Sequence, residues 1–404
     1  MTLLRLAKTE KPLRGKVRIT GSKSETNRLL ILQQIYPNLQ IENLSNSDDS
    51  QLMQQALSNT TGQVDIGHAG TAMRFLTAYL SVQTSRETVL TGSHRMKDRP
   101  IKLLVDALRA LGASIDYLEK EGYPPIQIKG SKLTGASVLI DGGVSSQYIT
   151  ALLLIAPMLD NGLQLNFKGT LTSRPYIDMT VDLLRSLGVV CTWGKNSILI
   201  QPTPVIADKT LVVESDWSAA SYYYSMVALS EQSEIELTAF KAHSLQGDAV
   251  LVDIYRHLGV ETTHHKHAIV LRNTGVIKPS YFNELDLSNA PDIAQTIVVT
   301  CFGMGIPCFL TGLHTLKIKE TDRLVALKNE IEKLGGVVYI TQDTLQLEAA
   351  DSIRSHVAVA TYHDHRMAMA FAPLITRVPL SIEDAGVVSK SYPSFWEDME
   401  KITR

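Results

Sequence analysis

Positive charge in this chain collects where small residues turn the backbone. Gly21-Ser22-Lys23-Ser24-Glu25-Thr26-Asn27-Arg28 packs a glycine, three hydroxyls and two cations into eight residues. Glycine lets the main chain approach a ligand, hydroxyls and free N–H groups bind oxyanions, and Lys and Arg add charge. The spacing is not that of a Walker A loop, and helix capping alone can account for a serine at such a place. His68-Ala69-Gly70-Thr71-Ala72-Met73-Arg74 sets a small-residue turn ahead of the apolar residues Phe75, Leu76 and Ala78, which suits an anion or simply a close helix–strand contact. Thr91-Gly92-Ser93-His94-Arg95-Met96-Lys97-Asp98-Arg99-Pro100 carries three Lys and Arg cations beside a proline that can open a helix. Read as a plain charge run, it is a solvated loop. Ser145, Ser146 and Gln147, and later Ser173, offer neutral donors for a polyol or a phosphate, with capping again the ordinary alternative.

The C-terminal part differs in kind. Asp292, then Lys319-Glu320-Thr321-Asp322-Arg323, then His363-Asp364-His365-Arg366, then Lys390 interleave carboxylates with cations. Proton transfer beside an anionic substrate requires that mixture, although ion pairing on exposed helices gives the same composition. His363 and His365 are two apart rather than on one helix face, so no metal is expected there. Independent helix caps need not carry Lys or Arg at so many glycine- and serine-bearing turns in both halves. The expectation is two small anionic substrates in a cleft ringed by Lys and Arg.

These turns are spaced by a repeated element. VDALRALGASI, VDLLRSLGVVC, VDIYRHLGVET and KNEIEKLGGVV each run from apolar residues at helical spacing into a Gly and then a β-rich stretch. The glycines are Gly112, Gly188, Gly259 and Gly335, separated by 76, 71 and 76 residues. Leu104, Leu108 and Leu111 line one face of the first helix, and Gly112 can take the left-handed conformation that ends it. The unit is therefore helix, stop, hairpin, with two copies before residue 215 and two after. ESDWSAASYYYS, from Glu214, opens a new helix with an Asp/Ser start signal, which places a domain boundary nearby.

Length and composition agree. A chain of 404 residues, 44% hydrophobic and 20% charged, accommodates two α/β domains. A formal net charge of -2 gives no global attraction to nucleic acid or an anionic membrane. Cys191, Cys301 and Cys308 form no even disulfide framework, which fits a reducing compartment. The N-terminus lacks a signal-peptide apolar core, and the run Ala151–Leu159 is too short to span a bilayer.

GSKSETNR, AGTAMRF, RMKDRP, SSQYITALLL, SRPYIDMT, PDIAQT, KETDRL, YHDHRMAMAF and KSYPSFW occur in this order. From about Gly21 to the C-terminus the chain resembles the EPSP synthase (3-phosphoshikimate 1-carboxyvinyltransferase) family of enolpyruvyl transferases. The resemblance implies an α/β fold of two similar domains, each of three βαβαββ units in an inverse α/β barrel or prism, with a cleft between them. Domain I would comprise residues 1–18 plus 216–404 and carry the phosphoenolpyruvate and catalytic residues. Domain II, residues 19–215, would bind shikimate 3-phosphate. One unit per half is thus implied that the repeat does not reveal.

The implied reaction adds the 5-hydroxyl of shikimate 3-phosphate to C2 of phosphoenolpyruvate as C3 gains a proton. The tetrahedral adduct then loses phosphate and a C3 proton. No metal or organic cofactor is implied, and the expected partners are the two small substrates, not nucleic acid or membrane, for a cytoplasmic monomer. Carried over by motif, Lys23, Ser24, Arg28, Ser145, Ser146, Gln147, Ser173, Asp292 and Lys319 would bind shikimate 3-phosphate. Lys23, Gly70, Arg99, Gln147, Arg323, Arg366 and Lys390 would bind phosphoenolpyruvate. Asp292, Glu320 and Lys23 would be catalytic, with Glu320 exchanging the proton at C3. Three positions depart from the family's habit: His68 stands for an Asn, Phe75 for a Pro, and Thr315 for an Asn that often contacts shikimate phosphate. Gly70 resembles glyphosate-sensitive members. The rivals are the sister transferase acting on UDP-N-acetylglucosamine, whose reactive loop cysteine has no counterpart in TGSHRMKDRP, and a non-catalytic anion binder on the same scaffold.

Overall fold

In each copy of the repeat the glycine has a backbone that L side chains resist: Gly112, Gly188, Gly259 and Gly335 have φ of +103°, +89°, +80° and +102°. Gly112, Gly188 and Gly335 close the helices Lys102–Ala110, Arg174–Ser186 and Arg323–Lys333. The Leu251–Arg256 helix is instead capped by His257, and Gly259 lies inside the strand Leu258–His265 at a register shift. Leu104, Leu108 and Leu111 are buried as the spacing requires.

A computed structural model describes residues 3–59, 62–143 and 145–403. In it the hairpin after each glycine joins a parallel strand pair, giving four sheets of one topology. In the first, Gln63–Asp65 runs parallel to Glu87–Thr91, which pairs antiparallel with Ile126–Lys129, itself paired with Ser114–Tyr117. The sheets built on Leu163–Lys168, Glu234–Thr238 and Cys308–Thr311 repeat the order. Two smaller sheets complete the described set. Lys209–Val212 lies parallel to Leu39–Glu42, and Leu380–Glu383 is flanked by Leu3–Leu6 and Val357–Val359. These copies have no Leu-Gly hairpin, which is why the sequence repeat passes over them. Among the described residues the sheets stay separate and none closes into a barrel.

The chain divides into a discontinuous unit, Met1–Thr20 with Glu214–Arg404, and a continuous unit, Gly21–Val213. Ile19, Thr20, Glu214 and Ser215 fall with the discontinuous unit, two residues at each crossing away from the sequence-based boundary. The reason is local. The Ser215 hydroxyl donates to the carbonyls of Ile19 (2.8 Å) and Thr238 (3.0 Å), and the Asp216 N–H donates to Thr20 (3.1 Å).

Each unit is cored by helices that are buried nearly all round. In the continuous unit these are Lys23–Ile35, Gly70–Ser81 and Ser146–Ile155. In the discontinuous unit they are Trp217–Leu229, Ala294–Gly303 and His365–Phe371. Apolar residues on every face, as in Ile149–Ile155, leave such a helix no solvent side. Of the three buried tyrosines of Trp217–Leu229, Tyr223 shares a hydrogen bond with Tyr392 at 2.9 Å and Tyr224 with Thr262 at 2.8 Å. Lys23, Ser24, Gly70, Ser145, Ser146, Gln147, Asp292 and Arg366 sit at or just before the starts of these core helices, whereas Ser173, Lys319, Glu320 and Arg323 stand at or just before the starts of the peripheral helices Arg174–Ser186 and Arg323–Lys333.

Candidate active site

In the continuous unit, Ser22 caps the Lys23 helix by accepting from Glu25 N–H, and Ser145 caps the Ser146 helix by accepting from Gln147 N–H. The capping explanation therefore holds for these two hydroxyls, while Ser24 and Ser146 occupy the first turns beside them. Ser173 is different. It precedes the Arg174 helix in the left-handed region (φ +52°), is 8% exposed, and makes no side-chain cap. A β-carbon residue is costly there.

Arg28 is 3% exposed. Its guanidinium donates to Thr180 Oγ1 (2.8 Å), Thr150 Oγ1 (3.3 Å) and the carbonyls of Ser24 (2.7 Å) and Tyr176 (2.9 Å). Those partners come from three helices, so Arg28 fixes how their ends meet. Burial lowers its pKa to about 10, which leaves it charged at neutral pH. Phe75 lies under it, with the guanidinium 5.6 Å from the ring centroid.

Lys23 Nζ stands 3.3 Å from Asp49 Oδ2, and His68 Nε2 lies 3.7 Å from Asp49 Oδ1. Gly70 begins its helix directly against Arg99: an added β-carbon would come within 2.9 Å of the guanidinium carbon. The Arg99–Pro100 turn is held there by its neighbours. Arg74 donates to the carbonyls of Gly70 (3.1 Å) and Pro100 (3.1 Å), and Tyr148 Oη donates to Pro100 (2.6 Å). Gln147 Nε2 reaches Thr71 Oγ1 at 3.3 Å, joining the first turns of two core helices.

In the discontinuous unit the cations meet carboxylates. Arg323, 2% exposed, opens its helix behind the cap Asp322. Its Nε donates to Asp364 Oδ2 (2.7 Å), Nη1 to Asp292 Oδ1 (3.1 Å) and Nη2 to Glu320 Oε2 (2.8 Å). Burial alone would weaken its hold on the proton, but Asp364, Glu320 and Asp292 together push its pKa up. Arg366 donates through Nη1 to the Asp292 carbonyl (2.9 Å) and through Nη2 to Asp292 Oδ2 (3.1 Å) and Ser218 Oγ (3.3 Å). Lys319 Nζ lies 3.4 Å from Asp292 Oδ1, and Lys390 Nζ lies 2.8 Å from Glu320 Oε1. Burial would raise the Asp292 pKa, but Arg366, Lys319 and Arg323 outweigh it and hold this carboxyl well below the usual range. Behind Arg366, Ser218 Oγ donates to buried Asp248. Desolvation and the Asp292 charge push the Asp248 carboxyl up to about 7.

Within the continuous unit the structure thus joins Lys23 with Asp49, Gly70 with Arg99, and Arg28 with Ser24. Within the discontinuous unit it gathers Asp292, Lys319, Glu320, Arg323, Arg366 and Lys390 into one network. The HDH histidines part company: the His363 side chain is 83% exposed beside Asp384, whereas that of His365 is 1% exposed. Thr315 has a buried hydroxyl without a hydrogen-bond partner. Sequence reasoning missed Asp49, Asp248 and Ser218 as parts of the site, and took Arg74 and Asp364 only as members of their motifs. No local pattern distinguishes a buried aspartate from a helix-start aspartate.

The architecture is that of the enolpyruvyl transferases. A solved EPSP synthase from Acinetobacter baumannii superposes with a TM-score of 0.80 at 20% identity, covering 100% of this chain and 98% of that one. An enolpyruvyl transferase from Streptomyces tendae gives 0.72 at 14% identity, covering 99% and 97%. Sequence comparison is more specific. The family profile described as EPSP synthase (3-phosphoshikimate 1-carboxyvinyltransferase) matches residues 58–399. Proteins named 3-phosphoshikimate 1-carboxyvinyltransferase are 45% identical in Bacteroides fragilis, over 96% of this chain and 95% of theirs, and 34% identical in Histophilus somni, over 96% of each. The chain belongs to the EPSP synthase family.

Proposed function

We propose that this protein transfers the enolpyruvyl group of phosphoenolpyruvate to the 5-hydroxyl of shikimate 3-phosphate, giving 5-enolpyruvylshikimate 3-phosphate and phosphate. The supporting observation is the network in which Lys319, Arg323, Arg366 and Lys390 surround Asp292 and Glu320. Simple anion capture is weakened by carboxylates, whereas proton transfer needs them.

Phosphoenolpyruvate brings a carboxylate and a phosphate, which would draw Arg366, Arg323 and Lys390 toward its oxyanions. Lys390 leaving Glu320 frees Oε1 of that carboxyl. Glu320 takes up a proton from water and gives it to C3 as the 5-hydroxyl oxygen bonds to C2 and releases its own proton to water. As the C2–O bond to phosphate breaks with its electron pair leaving on phosphate, C3 returns a proton to Glu320 and the departing phosphate takes up a proton from water. The depressed pKa of Asp292 makes it a poor proton acceptor while three cations face it. Its part is to orient the 5-hydroxyl and Lys319, with Lys23 supplying charge beside the reacting oxygen. In the continuous unit, Ser24, Arg28, Ser145, Ser146, Gln147 and Ser173 hold shikimate 3-phosphate, and Gly70, Arg99 and Gln147 contact phosphoenolpyruvate.

The sister reaction with a reactive loop cysteine is not favoured: Cys191, Cys301 and Cys308 are 8%, 0% and 3% exposed. The reading includes a cytoplasmic monomer, a compartment in keeping with three unpaired, buried thiols. No helix among the described residues is long and apolar enough to cross a membrane. The test is phosphate release with both substrates and with each omitted in turn. Release only when both are present is expected, and none with both present overturns the assignment.

A further inference from the structure

We infer that His68 is a positioning residue that acts through Asp49 on Lys23, so that protonation of its imidazole strengthens capture of phosphoenolpyruvate. The inference rests on the proposed substrates, but its geometry stands alone. Asp49 is the second residue of the helix Asp48–Ser58, capped by Ser47, and its side chain is 3% exposed. One oxygen, Oδ2, faces Lys23 Nζ at 3.3 Å. The other, Oδ1, is buried without a hydrogen bond and has His68 Nε2 3.7 Å away. The carboxylate is thus shared between a permanent cation and a conditional one.

The His68 side chain is 46% exposed, so it exchanges protons with solvent directly. It sits in the turn between Gln63–Asp65 and the Gly70 helix. Asp65 fixes that turn by accepting from Gly67 N–H at 2.8 Å, and the Ala69 N–H donates to Ile66 at 2.9 Å. Asp49 faces the ring from the neighbouring helix with Lys23 on its other oxygen, Asp65 lies on the ring's own turn, and Arg99 lies against Gly70 two residues on.

With His68 neutral, the Asp49 charge falls on Lys23 alone. With His68 protonated, an N–H⁺ meets the unsatisfied Oδ1, Asp49 is shared, and more of the Lys23 charge is available to a ligand. The added positive charge acts in the same direction. Imidazole is the side chain that makes this change in the physiological range. The amide usual in the family at this position cannot.

The experiment compares wild type with His68→Asn at about pH 6 and about pH 8.5, with shikimate 3-phosphate saturating, and reads the KM for phosphoenolpyruvate. The substrate's own titration cancels in the ratio of variant to wild type. That ratio is expected to rise several-fold from the alkaline to the acid condition, with a smaller change in the kcat ratio. His264→Asn, at an exposed strand position, serves as the control and should show one ratio throughout. A flat His68→Asn ratio overturns the proposal. A second measurement follows the His68 ring-proton resonance through a pH titration. Its midpoint should fall by about half a unit or more in Asp49→Asn, and an unmoved midpoint overturns the proposal on its own. Absence of phosphate release in wild type would instead remove the assigned reaction, and the resonance titration would still decide the His68–Asp49 contact.

Discussion

Arg323 and Arg28 are both nearly solvent-free, at 2% and 3% exposure, yet different chemistry holds them. Arg323 is gripped by the carboxylates of Asp292, Glu320 and Asp364. Arg28 is gripped by two threonine hydroxyls and two carbonyls. Neutral acceptors orient a guanidinium without cancelling its charge, so the continuous unit keeps a positive field suited to a phosphate. Carboxylates cancel the charge but place proton acceptors beside it, so the discontinuous unit is the one equipped for proton traffic. One topology is thus used for two electrostatic purposes, and the choice is made by which side chains surround each buried arginine.

The largest test of that contrast removes each arginine. Arg323→Met takes the guanidinium from buried Asp364, while Asp292 keeps Arg366 and Lys319 and Glu320 keeps Lys390, and losing one partner of a buried ion pair costs about 3–5 kcal/mol. Arg28→Met strands hydroxyls and carbonyls and removes a charge near buried Glu25, with no direct ion pair broken, at about 1–3 kcal/mol. Denaturant unfolding of the two variants should keep that order, and equal losses would dissolve the contrast. Next in size, Glu320→Gln keeps its hydrogen-bonding shape but cannot exchange the proton. Turnover should drop about 10²- to 10⁴-fold while calorimetric substrate binding persists, and a fully active variant would remove Glu320 from the mechanism.

What the sequence disclosed follows the same division. Gly112, Gly188, Gly259 and Gly335 announced four units because a helix stop followed by a hairpin is a local event. The remaining unit in each half stayed hidden because its strands come from distant chain: Leu39–Glu42 pairs with Lys209–Val212, and Leu3–Leu6 with Leu380–Glu383. Lys23, Gly70, Arg323 and Arg366 stood out because cations beside glycine, serine or aspartate are unusual. Asp49, Asp248 and Ser218 did not, because their significance lies in burial behind a cation, which only tertiary structure creates. Ser22 and Ser145 show the limit at finer scale. Their hydroxyls serve as caps, while Ser24 and Ser146, equally plausible caps by sequence, do not serve in that role.

Each unit also sets a buried carboxylate behind a candidate anion-binding cation, Asp49 behind Lys23 and Asp248 behind Arg366 by way of Ser218. Asp248 is the one with a large shift, up to about 7 through desolvation and the nearby Asp292. The folded state therefore holds a proton that the unfolded chain, with an aspartate near 4, releases first. The Asp248 contribution to stability is greatest below the unfolded value and is lost as pH rises from about 4 to about 7. In Asp248→Asn this loss should shrink by as much as about 4 kcal/mol between those limits, read from denaturant midpoints at several pH values. An unchanged slope would place the proton elsewhere in the Asp248–Asp292 pair.

The smallest effect probes how the two units hold the cations proposed for phosphoenolpyruvate. Arg366 is tied to Asp292 by both its carbonyl and its carboxylate, whereas Arg99 lies against Gly70 with no room for a β-carbon. The backbone at Gly70 is not in the left-handed region, so Gly70→Ala leaves the helix unstrained and should change stability by less than about 1 kcal/mol. The methyl group meets only the far end of a flexible side chain, and Arg99 must swing away. A displaced but intact cation weakens ground-state and transition-state binding together, so KM for phosphoenolpyruvate should rise about tenfold while kcat changes less. If KM held steady and kcat fell instead, Arg99 would be acting on the transition state, and the continuous unit would share in the chemistry assigned here to the discontinuous one.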